Sequence, residues 1–419
     1  MNTQRIFEKI EERKEELFQL LSSLVQIDSQ NFSTHGNEKE IAQYIHKLCQ
    51  DMGLESAMYS PMELPGFADH PDYIPGHNLE DRYNVTAVYK GKQDKNTLML
   101  MAHSDTVQFG DLKNWDLPPT SGAIKDGRIY GRGVGDDKSG IAVMLFLAKL
   151  LKEEGFEPKE NLLLNAYCDE EYGGSHGALA AVLRDKCERI VNMDMIEDTL
   201  IHCGTGGGEL KYRFHSVKPA DSSRPVARAM STVMDVLDIF AENRRRELEA
   251  NRFYAGTDIP ASSMRYIGVQ AGHNGNDLGV GEIHFVFYTD KTKAEIDPEL
   301  AELDKMLQQR LEPLGMVSDG FEPTTRFFHY VFCEPDSPHI LDYQEAAMEA
   351  TGKSVRVEGG CLSDQSVIAK YGTMEAFSTG VIRDFTKEGG AHQPNECVEC
   401  DKLVEYTKTI AAYILKVLQ

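Results

Sequence analysis

Acidic and histidine residues fall at the ends of consecutive apolar runs, and this placement constrains the fold of the 419-residue chain more than any other feature. Residues 97–102, 161–168 and 189–193 read as short apolar strands bounded by polar, turn-forming residues. Helical spacing fills the intervals, over 141–151 after the first strand and 178–183 after the second. Strands alternating with helices predict a largely parallel sheet covered by helices. The same spacing predicts an opening helix through Ile6, Ile10, Leu17, Leu20, Leu21 and Leu24, and another over 38–52. Residues 61–77, with proline and glycine, read as a long surface loop.

The texture changes at Gly204-Thr205-Gly206-Gly207-Gly208, which reads as a flexible joint. Beyond it, strand patterns at 210–214 and 283–288 and helix patterns at 226–250 and 298–314 describe a small α+β unit. The first texture returns near residue 335. The expected organisation is an α/β catalytic domain in two parts, 1–206 and 327–419, with an inserted α+β lid over 207–326.

Charge narrows the function. The chain carries 44 Lys+Arg against 67 Asp+Glu, a net charge of −23, whereas nucleic acids and anionic membranes need a cationic footprint. No run approaches the roughly 18–20 apolar residues of a bilayer span. The first residues are charged and amphipathic rather than signal-like, and the eight cysteines are too scattered for a disulfide framework. A soluble cytoplasmic protein with a small-molecule substrate is the expectation. Cys397 and Cys400 form a C-x-x-C, but without a second such pair the spacing reads as inert rather than as a zinc or redox site.

Five segments can carry chemistry. His103-Ser104-Asp105 follows the first strand, where parallel sheets place their ligands; a histidine there can bind a metal while a carboxylate fixes its tautomer. The turn Gly131-Arg132-Gly133-Val134-Gly135-Asp136-Asp137-Lys138-Ser139-Gly140 opens the 141–151 helix. It departs from both phosphate-binding patterns: Asp137 precedes Lys138-Ser139, and Asp136 stands where a third glycine belongs. Adjacent carboxylates suit a cation instead. Asp169-Glu170-Glu171 follows the second strand, Asp194 ends the third, and His392 lies in Ala391-His392-Gln393-Pro394-Asn395-Glu396. Each alone fits an ordinary solvated loop. Together they supply the mixed imidazole and carboxylate donors that two zinc ions need, with one carboxylate shared. Three carboxylates and a hydroxide, with one more carboxylate, come close to neutralising the pair.

At this point the chain resembles the dinuclear-zinc amidohydrolase family of aminoacylases, acetylornithine deacetylases, succinyl-diaminopimelate desuccinylases, glutamate carboxypeptidases and tripeptidases. The resemblance covers Ser22 to Ser29, Gly36-Asn37-Glu38, Asn84, His103 to Val107, Trp115, Gly131 to Gly140, Asp169 to Gly173, Asp194 and His392 to Glu396. It implies a zinc-aminopeptidase-like catalytic domain and a lid that makes a homodimer. It implies that His103 and Asp194 hold one zinc, Glu171 and His392 the other, and that Asp136 bridges them. Cobalt or manganese could fill the same positions. Glu170 would be the general base and Asp105 the partner of the His103 ring, and the Asp136–Asp137 peptide would be cis.

The lid departs from the family. Asp221 stands where a lid histidine belongs, and Lys291 is the only cation where an arginine ends a lid strand. His273 and His215 are the candidate substitutes, with Asn276 and Asp364 as further substrate contacts. The expected activity is hydrolysis of an amide in a dipeptide or an N-acyl amino acid. The alternative is a zinc-binding regulatory protein of the same fold without turnover, against which the retained Glu170 counts.

Overall fold

Strands Asn161–Tyr167, Asn96–His103, Arg189–Asn192 and Ala376–Thr379 lie side by side, in that order and parallel, in the middle of a mixed sheet. Antiparallel strands extend it, Asn84–Tyr89 and Glu55–Tyr59 on one side and Thr199–Gly204 on the other. The computed structural model describes residues 1–220, 222–273 and 277–419. Two units divide the chain: Met1–His202, Phe332–Glu358 and Val367–Gln419 form the first, Cys203–Val331 and Gly359–Ser366 the second.

The central strands are buried almost throughout, as expected of a parallel sheet covered on both faces. Leu98, Leu100 and Ala102 share one face with Leu162, Leu164 and Ala166, by the two-residue period of a strand, and enter one core with the helices Lys138–Glu153 and Cys400–Leu418. Each fully buried leucine contributes about 1.5–3 kcal/mol. Register sets the site. His103 pairs with Tyr167 and Met101 with Asn192, so neighbouring strands end level and their following loops converge.

Helix Lys138–Glu153 begins against those strand ends, capped by the Asp137 side chain, which accepts from the Gly140 N–H at 3.3 Å. A Cβ on Gly140 would come within 2.9 Å of the Cβ atoms of both Ala102 and Met193. Glycine is what lets the helix start so close, and it carries Asp136 and Asp137 to the strand ends.

The second unit is α+β. Its antiparallel sheet runs Met264–His273, Asp277–Thr289, Gly206–Ser216, Met316–Pro323, and helices Arg224–Ala250 and Lys293–Leu311 pack on Tyr212, Phe214, Phe285 and Phe287. The glycine run is not a flexible joint. Gly206, Gly207 and Gly208 pair with Thr289, Tyr288 and Phe287 inside a long strand. Gly207 has φ +122, and a Cβ there would fall 2.0 Å from the Phe287 carbonyl oxygen, so the glycine serves a close backbone approach. Two other expectations shift. The opening helix is two, Thr3–Glu12 and Lys14–Val25, broken at Arg13, and the 298–314 helix begins earlier, at Lys293, behind a capping box of Thr292 and Glu295.

Candidate metal centre

The site is built in the first unit from loops that leave the sheet. His103 is the last residue of its strand, Glu170 and Glu171 follow Tyr167, Asp136 precedes Lys138–Glu153, and His392 lies beyond Ala376–Thr379. Asp169 and His392 take φ +61 and +64, a left-handed conformation that non-glycine residues keep only where their surroundings hold it. The Asp136–Asp137 peptide is cis, as the resemblance implies.

Asp136 turns its two carboxylate oxygens to different histidines. Oδ1 lies 2.8 Å from His103 Nε2 and Oδ2 lies 3.1 Å from His392 Nε2. Glu171 Oε2 is 2.9 Å from the same His392 nitrogen, and Glu171 Oε1 accepts from the Val107 N–H at 2.9 Å. Donor atoms of His103, Asp136 and Glu171 all lie within 4.8 Å of one another. His103 Nδ1 donates to the main-chain oxygen of Asp105 at 3.0 Å, which leaves Nε2 facing Asp136, as a donor when protonated and as a metal ligand when not.

Burial opposes charge on these groups, and the neighbours decide the balance. At His392, burial favours the neutral ring, but Asp136 and Glu171 overcome it and raise the pKa to about 11. His103, against Asp105 and Asp136, is raised well above its ordinary value despite burial. Asp136 is held far below the usual carboxylate range, the two imidazoles outweighing burial. Glu171 is raised, by burial first and then by Asp136. Two imidazoles and a carboxylate shared between them fit two divalent cations, and the chain carries this donor set.

Asp105 faces the His103 ring and also does more. Its carboxylate is 3.6 Å from His103 Nδ1, farther than its own main-chain oxygen. Oδ2 instead accepts from the Glu170 N–H at 3.0 Å, the Glu171 N–H at 3.1 Å and Asn31 Nδ2 at 2.8 Å. Burial opposes its charge, but the His103 ring and the Asn31 amide hold its pKa below normal. Asp105 thus fixes the backbone that carries Glu170 and Glu171.

A second group, His77, Asp169 and His176, also brings ligand atoms together, but it is already neutralised. The fully buried Arg82 pairs with Asp169 and lies 3.4 Å from Glu38. His176 Nε2 accepts from the Ile74 N–H at 3.1 Å, so its Nδ1 carries the proton and donates to Asp169 Oδ2 at 2.6 Å. A guanidinium on the shared carboxylate repels a cation. The cluster is a polar anchor, joined to the centre through Asn31, which accepts from Arg82 at 3.0 Å. Sequence reading missed Asn31 and Arg82. They stand 51 positions apart, in no motif whose spacing marks a pair.

The structure therefore gathers His103, Asp136, Glu171 and His392 with Asp105 and Glu170. Glu170 is near enough to support charge on the His103 ring. Asp194 leaves the end of strand Arg189–Asn192, and after burial it is among the carboxylates that push Asp137 upward. His215 is in the second unit, with Nδ1 2.9 Å from Asp319 Oδ1. His273 ends the strand Met264–His273; its side chain, Asn276 and Asp221 lie outside the described residues. Asp364 is buried in the second unit. Lys291 is engaged by Glu299 at 2.6 Å and Glu247 at 3.4 Å. Cys397 and Cys400 are buried thiols, raised by that burial, in keeping with the inert reading. No helix among the described residues is long and apolar enough to cross a membrane.

Comparison with known proteins follows the same lines. The model of peptidase family M20/M25/M40 matches residues 99–416. An uncharacterized metallohydrolase of Methanocaldococcus jannaschii is 38% identical over 164 residues, which are 39% of this chain and 38% of that protein. One of Methanococcus maripaludis is 33% identical over 184 residues, 43% and 42% of the two chains. The chain thus spans about two fifths of these relatives' length. Among solved structures, a di-peptidase of Saccharomyces cerevisiae superposes with a TM-score of 0.74 at 16% identity, covering 99% of this chain and 98% of that one. A tripeptidase of Staphylococcus aureus does so at 0.68 and 17% identity, covering 96% and 97%. At such identities the likeness is one of fold.

Proposed function

The chain belongs to peptidase family M20/M25/M40, and from that premise we propose that it hydrolyses an amide bond in a dipeptide or an N-acyl amino acid. The observation that carries this reading is Asp136, one of whose oxygens faces His103 and the other His392, beside a Glu170 whose N–H is held by Asp105. Asp194 would complete the His103 position, and Glu171 with His392 the other. Zinc suits this donor set best, with cobalt or manganese able to replace it.

Divalent cations at these positions supply Lewis-acid polarisation of the scissile carbonyl and lower the cost of deprotonating water. The protein's own groups do the rest. Glu170 takes a proton from the attacking water as the C–O bond forms, then returns it to the leaving nitrogen as the C–N bond breaks. Asp105 keeps Glu170 in place by accepting its N–H. The products are a carboxylate and an amine. A leaving group with a free carboxylate is the preferred substrate class, and His273 or His215 would serve as the lid donor in the absence of the usual histidine.

A homodimer through the lid is part of the same reading. Ile267 and Val269, on the edge strand Met264–His273, and Ile239, on helix Arg224–Ala250, are exposed hydrophobic side chains that association through this unit would cover. Sedimentation velocity should show a dimer that Ile267→Asp dissociates. Eight free thiols suit a reducing compartment, the cytoplasm.

The test is a pair of neighbouring variants assayed against dipeptides and N-acyl amino acids. Glu170→Gln should keep both cations and lose about 10²–10⁴-fold in turnover, the usual contribution of a general base. Glu171→Gln should lose one cation. Wild-type turnover in Glu170→Gln would exclude Glu170 as the base.

A further inference from the structure

Outside the donor set, Arg132 and Glu396 form a buried ion pair, Nη1 to Oε2, at 2.7 Å. Its hydrogen bonds run to both sides of the centre. Glu396 accepts from the main-chain N–H groups of Gly133 at 3.1 Å, Gly135 at 3.2 Å and Asp136 at 3.4 Å. Arg132 donates to the main-chain oxygens of His392 at 3.2 Å and Gln393 at 3.3 Å, with its guanidinium 5.1 Å from the centroid of the Trp115 ring. The glycine turn, whose N–H groups have the form of an anion cradle, is filled by a carboxylate of the same chain.

His392 needs such support and His103 does not. His103 is fully buried at the end of a paired strand. The His392 side chain is 43% exposed, on a loop residue with φ +64, and its ring contact is with the exposed Phe385, edge-on at 5.1 Å, so no sheet and little packing fix it. We propose that the Arg132–Glu396 pair is a clasp that sets the spacing of Asp136 and His392, and so weighs most on the Glu171–His392 cation position, where both of its ends act, and less on the His103 position, which it reaches only through Asp136. Arg132 and Glu396 are positioning residues, since they act through the backbones of Asp136 and His392. The inference rests on the two-cation reading above.

In Glu396→Gln the amide nitrogen must face one of two pairs of donors, Arg132 with Gly133 or Gly135 with Asp136, and that pair loses its acceptor. In Arg132→Met the carbonyls of His392 and Gln393 lose their donor. The experiment is calorimetric titration of zinc into the metal-free full chain, with hydrogen exchange on the same metal-free samples. The parent should bind two cations. In both variants one cation should weaken about 10–100-fold, the range typical for partners that orient a ligand, and the other, which shares only Asp136 with the clasp, by at least about threefold less. Exchange should quicken over 389–396 and stay unchanged over Asn96–His103. Equal weakening of both cations with faster exchange across the sheet would overturn the proposal, as would unchanged affinity and exchange. A parent that binds one cation would overturn the two-cation reading itself, before any variant is compared. Should Glu396→Gln fail to fold, Arg132→Lys gives the same comparison, since it keeps the charge but cannot span both carbonyls.

Discussion

Asp105→Ala and Asp105→Asn should separate two roles of one carboxylate. The fully buried Oδ2 accepts from the Glu170 N–H, the Glu171 N–H and Asn31 Nδ2. Alanine leaves the buried Asn31 amide and two part-buried N–H groups without that acceptor; at about 1–3 kcal/mol for a buried donor and less for the other two, the cost is about 2–5 kcal/mol before the loop relaxes. That is a large part of the ~5–15 kcal/mol that holds a typical protein folded. Asparagine keeps an oxygen at the Oδ2 position but sets an NH2 where Oδ1 also accepts from the Glu170 N–H at 3.1 Å, so it gives up charge assistance, about 1 kcal/mol per bond, and part of the Glu170 bond. Urea unfolding of the metal-free proteins, followed by circular dichroism, reads both costs without a contribution from cation binding. The expected order is wild type, then Asn, then Ala, with zinc affinity at the Glu171 position falling in the same order. A cost below about 1 kcal/mol for Asp105→Ala would refute the claim that these bonds hold the Glu170–Glu171 loop. Equal costs for Asn and Ala would show that charge, and not the acceptor, is what matters.

Asp136→Ala should lower metal content more than Glu171→Ala, because it removes a donor facing both histidines; elemental analysis of zinc-dialysed protein decides this, and equal losses would argue against sharing. His339 is fully buried, with Nε2 donating to the Ile190 carbonyl at 3.0 Å, and burial lowers its pKa from 6.5 to about 3. The unfolded chain therefore binds a proton that the native state refuses between these values. Stability attributable to His339 should be intact above pH 6.5 and fall as pH drops towards 3, by about 1.4 kcal/mol per unit. His339→Gln should remove that slope, and an unchanged slope would exclude His339 as its source. Cys361 alone among the eight cysteines is exposed, so a thiol reagent should label one cysteine quickly in the native protein and all eight in denaturant. Rapid native labelling of Cys397 or Cys400 would overturn their inert reading.

Local pattern made much of this protein legible. The apolar runs ending at His103, Tyr167 and Asn192 have strand length and composition, the intervals between them have helical period, and parallel strands present their carboxyl ends together. Residue chemistry at those ends pointed to His103, Asp136, Asp169 to Glu171, Asp194 and His392 as candidate donors, and the family resemblance chose His103, Asp136, Glu171, Asp194 and His392 among them. What the sequence by itself could not determine is who holds the donors. Asp105 grips the Glu170–Glu171 backbone more closely than it does the His103 ring, Arg82 and Asn31 brace Asp169, and Glu396 fills the glycine turn from 263 positions away. Nor could it tell that Gly207 belongs in a strand, since that depends on the Phe287 backbone opposite it. Period and composition are local properties, written in neighbouring residues. Contacts between distant segments leave no such period, and strand register and the close approach of the Gly140 helix to the sheet decide them.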